Sequence, residues 1–280
     1  MVERTRKLAK PPAAKPPAAK PPAAKPPAAK AVAFPRGESG DQASLVAKRI
    51  ASFSKKNGDN LRAAPTMYGQ IYGIIREALL SGVLAAGDLL SIRALATALG
   101  TSGMPVREAL GRLMVEGGLE SLPSRAYRVP SVTIDQFREL TLMRLRLEAL
   151  ATEHAAVRIK PSDLIRLGAE LDFMSNVIRT SQLDYLQAHR RFHFLIYEIS
   201  SMPLLCNSIE TLWLRMGPLM GPLLASADLD EEISFHKQLY FAMERSDPTA
   251  CYQALEIDLT RAARRATAYM VSLEAGTKGT

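Results

Sequence analysis

No apolar run in this sequence approaches the roughly 18 residues that a membrane helix requires, and stretches such as GPLMGPLL are short and broken by Gly and Pro. Cysteine is nearly absent. Cys206 and Cys251 stand far apart with no signal-peptide pattern ahead of them, so no disulfide framework is expected and the chain reads as cytoplasmic. Histidine is scarce as well: of four in 280 residues, His189 and His193 fall within one helical turn of YLQAHRRFHFLIYEIS. What is plentiful is apolar material, 47% of the chain, enough for one or two domains plus a tail.

The charge is unevenly placed. Residues 1–62 hold 14 Lys or Arg against 4 Asp or Glu, leaving 22 against 24 in residues 63–280, so the net charge of +8 comes from the N-terminal segment. Basicity therefore says nothing about the remaining surface. Lys10–Ala29 is KPPAA four times, closed by Lys30. Pro pairs every five residues forbid helix and sheet ladders, and Ala and Lys offer nothing large to bury. This predicts an extended, polyproline-like, disordered segment. Two roles fit it equally: a solubilising spacer, or a comb of lysines touching phosphates without reading sequence. The period is too short for a solenoid. Residues 31–62 read as linker, with a possible short helix around SLVAKRIASF.

From Thr66 the pattern becomes helical, with Ile71, Ile74, Ile75, Ala78 and Leu79 on one face. SIRALATALGTSGMPVREALGRLMVEGG then predicts a helix capped by Ser91 and stopped by Gly100. A tight turn follows, and a second helix from Met104 or Pro105 to Glu116. Such a pair is a helix-turn-helix whose second member can lie in a DNA major groove, with ordinary core packing as the alternative. LESLPSRAYRVPSV alternates around a turn and reads as a hairpin, a wing.

The run LLSGVLAAGDLLSIRALATALGTSGMPVREALGRLMVEGGLESLPSRAYRV resembles the winged-helix domain of the GntR superfamily of bacterial transcription regulators, with PVREAL as its most specific part. The resemblance implies that Arg93, Ser102 and Arg107 approach phosphates or guanine edges, while Arg125 and Arg128 of the wing reach the minor groove. Three positions depart from the family pattern. Gly103 stands where an Arg or Lys is common, so one DNA contact is expected to be missing. Ala126 stands at the usual wing-tip Gly, where a left-handed backbone would cost about 1 kcal/mol or more. Gly118 replaces a usual Leu and is expected to weaken packing below the wing.

The remainder predicts helices near 134–158, 162–181, 183–200, 203–224, 229–245 and 248–273, with Pro161, Pro203 and Pro248 at or near starts. Spacings such as Leu140, Met143, Leu147 and Leu150 are packing stripes. Two histidines at i, i+4 share a helix face within reach of one ion, although packing or surface roles are as compatible with the spacing. This part resembles the FCD-type effector domain of the FadR-like branch of the superfamily, which carries an Asp, then an aromatic-His pair, and two later His. The resemblance implies a metal site at His189, His193, His236 and Asp258. His189 replaces the family's Asp and Asp258 its last His, so three imidazoles and one carboxylate are retained. That donor set suits Zn, Ni, Mn or Fe. His154 is left as a bystander. Arg144, in MRLRLEAL, matches an arginine that faces an anionic ligand in the family; the alternative is an exposed ion pair with Glu148 at i, i+4.

The expected fold is mainly α: a disordered tail and linker over 1–62, a winged helix-turn-helix over 66–130, and an all-helical effector domain over 134–274. The expected function is a metabolite-responsive transcriptional regulator, a repressor. Its expected partners are a double-stranded, pseudopalindromic operator, a small organic acid effector and a second copy in a homodimer, with no membrane and a cytoplasmic, nucleoid-associated location. A metal-dependent enzyme with an accessory DNA-binding domain and a histone-like DNA-compacting protein are the alternatives.

Overall fold

The computed structural model describes residues 42–57, 64–123, 126–225 and 227–276. The KPPAA repeat, and with it the expectation of a disordered tail, lies outside the described residues. Within the linker, the short helix expected around SLVAKRIASF is present and longer than that stretch. Helix α1 (Gln42–Lys56) buries Val46, Ala47, Ile50 and Phe53 on one face. Their spacing of three and four is that of an amphipathic helix, and each large apolar side chain so buried contributes about 1.5 to 3 kcal/mol.

The winged helix follows as α2 (Met67–Leu80), β1 (Leu89–Leu90), α3 (Ile92–Leu99), α4 (Gly103–Val115), β2 (Glu120–Ser121) and β3 (Tyr127–Arg128). Thr66 caps α2 by accepting from Gly69 N at 3.1 Å, and Ser91 caps α3 by accepting from Ala94 N at 3.4 Å. Gly100 ends α3 in the left-handed region at φ 67°, where a side chain would be strained. The strands form one antiparallel sheet in the order β1-β3-β2, pairing Leu89 and Glu120 with Arg128 from either side. Strand β1 was not foreseen in the sequence; at two residues it is too short to show alternation.

Among the described residues the non-Gly residues at positive φ are Ser201 and Ser246, and the turn at 124–125 that sets the backbone of Ala126 lies outside them. Gly118 does not leave a void. Leu79 Cδ1 and Leu214 Cβ would lie 3.2 and 3.7 Å from a Cβ there, so neighbouring side chains occupy the space that the family's leucine would need.

Six further helices follow among the described residues: α5 (Ile134–Ala156), α6 (Pro161–Val177), α7 (Gln182–Ile199), α8 (Pro203–Ala225), α9 (Leu229–Glu244) and α10 (Pro248–Gly276). A capping box joins Thr133 and Gln136 at the start of α5, and Ser181 and Asp228 cap α7 and α9. Helix α5 packs along α10, α6 along α7, and α9 against α6 and α10. A second apolar cluster, including Phe137, Leu140, Met216, Leu219 and Met270, joins α5, α8 and α10.

The winged helix and the helical bundle share one apolar core, from Val46 and Leu79 through Leu186 and Trp213 to Leu259. Helix α2 crosses α8 at Gly217, where any Cβ would collide with the Leu79 carbonyl, so the two backbones touch. Arg76 pairs with Glu210 across this junction, and Arg190 with Glu77 at 2.5 Å.

Candidate metal centre and DNA interface

Helix α7 carries the site because its buried face advances by four residues at a time: Tyr185, His189, His193 and Tyr197 are all buried. His236 reaches the same point from α9 and Asp258 from α10. The imidazoles of His189, His193 and His236 offer nitrogens that all lie within 4.8 Å of one another, and Asp258 Oδ2 is 3.8 Å from His193 Nε2. Of the four side chains singled out from the sequence, the three imidazoles form one cluster, and Asp258 stands beside it next to His193. His154 does not join them; it sits at the end of α5 with Nδ1 3.2 Å from Arg158.

The surroundings constrain the tautomers. His236 Nδ1 lies 2.6 Å from the Glu232 carbonyl, which can only accept, so Nδ1 carries the proton and Nε2 presents a lone pair. Tyr197 Oη donates to Glu148 Oε2 at 2.7 Å and lies 3.4 Å from His193 Nδ1; in the tautomer with the proton on that nitrogen, the Nε2 lone pair of His193 faces inward too, and in the other tautomer His193 Nε2 donates to His236 Nε2. The two Nε2 atoms are 3.2 Å apart. Two nitrogens each bound at about 2.0–2.1 Å to one tetrahedral ion would be separated by roughly 3.3 Å. The arrangement thus fits a shared ion.

Burial pushes His189 and His193 well below the usual imidazole range; the neighbouring imidazoles and the Arg144 guanidinium add to the effect. Both are neutral, the form that coordinates a metal. Burial raises the Asp258 carboxyl, against the opposing pull of His236 and Arg144. A bound cation would reverse that rise.

Arg144 is not the exposed ion-pair partner that its i, i+4 spacing allowed. It is buried, donates to Glu148 from Nε at 2.6 Å and from a terminal nitrogen at 3.3 Å, and lies 5.0 Å over the Trp213 ring. It also lines a cavity with His189, His193 and Asp258. Glu148 further accepts from Trp213 Nε1 at 2.9 Å, so this fully buried carboxylate has four donors. Glu148 and Tyr197 support the site from behind, a part that the sequence pattern assigned to neither. Tyr185, Glu232 and Arg265 line the cavity and were likewise missed. The available signal was register: each stands one or two turns from a singled-out residue on the same helix.

On the winged helix, Arg93 and Arg107 are exposed, and neither has an ion-pair partner among the described residues. Ser102 is the N-cap of α4, and its side chain makes no cap hydrogen bond. Arg128 is held by Glu120 at 2.6 Å within the wing sheet. Arg125 lies outside the described residues. A Cβ at Gly103 would meet only Ile92 Cγ2, at 3.4 Å.

Two family models match: bacterial regulatory proteins of the gntR family over residues 67–129, and the FCD domain over residues 139–268. The HTH-type transcriptional regulator McbR of Escherichia coli K12 is 34% identical over 190 residues, 66% of this chain and 86% of McbR. The chain belongs to the GntR family of bacterial regulatory proteins. The solved structure of E. coli McbR/YncC superposes on this regulator with a TM-score of 0.68 at 30% identity, covering 75% of this chain and 99% of that one. A GntR regulator from Rhodococcus sp. RHA1, 20% identical with a TM-score of 0.60 over 71% of this chain and 96% of that one, shares the fold. The HTH-type transcriptional repressor RspR of E. coli K12 is 29% identical over 144 residues, 51% of this chain and 63% of RspR. The regulator belongs to a family of transcription regulators rather than enzymes, so the metal-dependent enzyme alternative falls. Among the described residues no helix is long and apolar enough to cross a membrane.

Proposed function

We propose that this regulator is a metal-bound, metabolite-responsive repressor. His189, His193, His236 and Asp258 hold one divalent ion of the Zn, Ni, Mn or Fe type, and a small carboxylate enters the cavity beside Arg144 to reach the ion. Two copies place their α4 helices in successive major grooves of a pseudopalindromic operator, with Arg93, Ser102 and Arg107 on the DNA and Arg125 and Arg128 at the wing. The observation that carries the metal reading is the approach of His193 Nε2 to His236 Nε2 at 3.2 Å while both Nδ1 atoms are turned to other partners. Without a cation, two inward lone pairs would repel unless one imidazole gave up its hydrogen bond.

When bound, the ion supplies a positive charge and open positions for an anion. The chain's own part is to hold the imidazoles neutral and oriented, through the Glu232 carbonyl and the Glu148–Tyr197 pair. Helix α8 lines the cavity with Met216 and Met220 and touches α2 at Gly217, so occupancy of the cavity bears on the winged helix. Elemental analysis of purified protein beside His193→Ala tests the reading. About one ion per chain is expected in the wild type and a clear loss in the variant. Fewer than about 0.2 ions per chain, persisting after incubation with Zn, Ni or Mn, would end it.

A further inference from the structure

Helix α5 buries one face and leaves the opposite one bare. Phe137, Leu140, Arg144, Ala151 and Ala155 are buried, as packing along α10 requires. The outer face of such a helix is ordinarily polar. Here it carries Leu142, 65% exposed, and Val157 at the C-cap, 63% exposed, with Met143 and Leu150 exposed between them. Among the described residues no other helix with its caps exposes four large apolar side chains. An apolar stripe of this kind marks a surface that something covers.

Two charged side chains sit within the stripe. Arg146 and Glu153 make no side-chain hydrogen bond and no ion pair among the described residues, whereas Arg138 and Arg144 of the same helix are paired with Asp135 and Glu148. Arg146 and Glu153 stand seven residues apart, about 10.5 Å along the axis, too far to satisfy one another as an i, i+4 pair would.

The order along the stripe identifies what covers it. Leu142, Arg146, Leu150, Glu153 and Val157 follow one another at spacings of three and four, so that an apolar residue stands at each end and in the middle, with a cation before the middle and an anion after it. Turned half a revolution about an axis at Leu150, the stripe meets its own copy antiparallel: Leu142 faces Val157, Arg146 faces Glu153, and Leu150 faces Leu150. A parallel copy would set like charges together, which is unfavourable. A surface that is its own complement under a twofold axis closes a dimer and leaves nothing open for a third chain. Antiparallel pairing also puts the two Thr133 ends, each leading from a wing, at opposite ends of the interface, in keeping with two separate half-sites.

We infer that α5 is the dimer interface, packed antiparallel on α5 of a second copy, with the exposed leucines buried and Arg146 of each chain paired with Glu153 of the other. The inference rests on the proposed reading that two copies act together on the operator, and adds to it the surface that joins them.

The test is sedimentation equilibrium of the full chain without DNA, for wild type, Arg146→Glu, Glu153→Arg, the double variant carrying both, and Leu150→Asp. Far-UV circular dichroism checks that each is folded, and the number of chains per operator duplex is measured alongside. Each charge reversal places like charges in contact twice and should weaken the dimer about tenfold or more, as should Leu150→Asp at the axis. The double variant restores opposite charges and should return to within about threefold of wild type. Because Arg146 and Glu153 do not meet within one chain, that rescue reports contact between copies. Reversals that weaken the dimer with no rescue in the double variant would overturn the antiparallel pairing. Dimers as tight as wild type in all four variants would place the interface elsewhere and leave the two-copy reading of the operator standing. A wild type that stays monomeric at about 100 μM would overturn the α5 interface, and one chain per operator would remove the two-copy reading with it.

Discussion

His193 and His236 approach one another Nε2 to Nε2 at 3.2 Å from different helices, α7 and α9, with the Nδ1 of His236 turned to the Glu232 carbonyl and that of His193 to Tyr197. Asp258 adds a third helix, α10, at 3.8 Å from the same His193 nitrogen. An ion held there crosslinks three elements that the chain brings together only on folding. Its binding energy is therefore folding energy.

Removal of the metal should lower the melting temperature. An ion at about 100 times its dissociation constant stabilises by roughly 2.7 kcal/mol, which for a domain of this size is about 5–10 °C. Differential scanning calorimetry before and after chelation, with zinc added back, reads this directly. A shift under about 1 °C would mean that no ion links these helices.

Tyr197→Phe should damage the site without opening the core. The ring remains and only the hydroxyl between Glu148 and His193 is removed, which frees His193 to change tautomer. Losses of about 10–100-fold in metal affinity are usual for such supporting groups. Competition with a chromogenic chelator measures it, and affinity equal to wild type would show that the tautomer is fixed in some other way.

The metal-free protein should lose stability on mild acidification. His189 and His193 are held below the ordinary imidazole value of 6.5, chiefly by burial, so beneath that pH the unfolded chain binds more protons than the folded one. Their contribution is complete above pH 6.5 and declines as the pH falls below it. Each histidine accounts for up to about 1.4 kcal/mol per pH unit. The Asp258 and Glu232 carboxyls are raised by burial and have the opposite slope, so the comparison must be with a His189→Gln, His193→Gln double variant. Between pH 7.5 and 5.5, chelator-treated wild type should lose roughly 1–3 kcal/mol more than the variant. Parallel curves would contradict this assignment.

Much of this architecture is legible in the sequence because helix ends are marked chemically. Thr66, Ser91, Thr133 and Ser181 cap, Gly100 stops α3, and Pro161, Pro203 and Pro248 open helices. Helix α1 was half hidden. Its Val46, Ile50 and Phe53 stripe has helical spacing, but it follows a low-complexity repeat and its partners lie far along the chain. The singled-out metal residues were identifiable from residue type and resemblance. Their supports were harder to see, because tyrosine, glutamate and arginine on a helix have many ordinary uses. Only the folded helices show that 185, 189, 193 and 197 form one line facing 232, 236, 258 and 265.

Arg107→Ala should abolish sequence-specific DNA binding and leave the fold intact. Arg107 is exposed on α4 with no ion pair among the described residues, so its truncation removes no packing. If it reads a base, the loss is about 1–3 kcal/mol per half-site, with unfolding stability unchanged within about 0.5 kcal/mol. A gel shift on the native operator, once genomic footprinting has located it, decides the matter. Unchanged affinity would show that Arg107 does not touch the DNA.

The packing of α1 bears on the basic N-terminal segment. Lys56, at its last turn, pairs with Asp184 of α7 at 2.5 Å, and Asn57 accepts from Gln187, whereas Arg49 pairs with Asp88 beside β1. Helix α1 packs on α2, α3 and β1 of the winged helix, and its last turn is tied to α7. Residues 1–30 carry eight Lys or Arg against one Glu, while residues 63–280 are slightly acidic overall. Deleting residues 1–30 should thus weaken operator and random DNA alike, and flatten the dependence of log affinity on log salt by about 0.9 for each phosphate that the deleted lysines had neutralised. Fluorescence anisotropy across a salt series, on full-length and shortened chains, measures both slopes. Identical slopes would leave the repeat as a spacer. A full-length chain that condenses long DNA lacking any operator, an ability that disappears with the repeat, would instead favour the histone-like alternative.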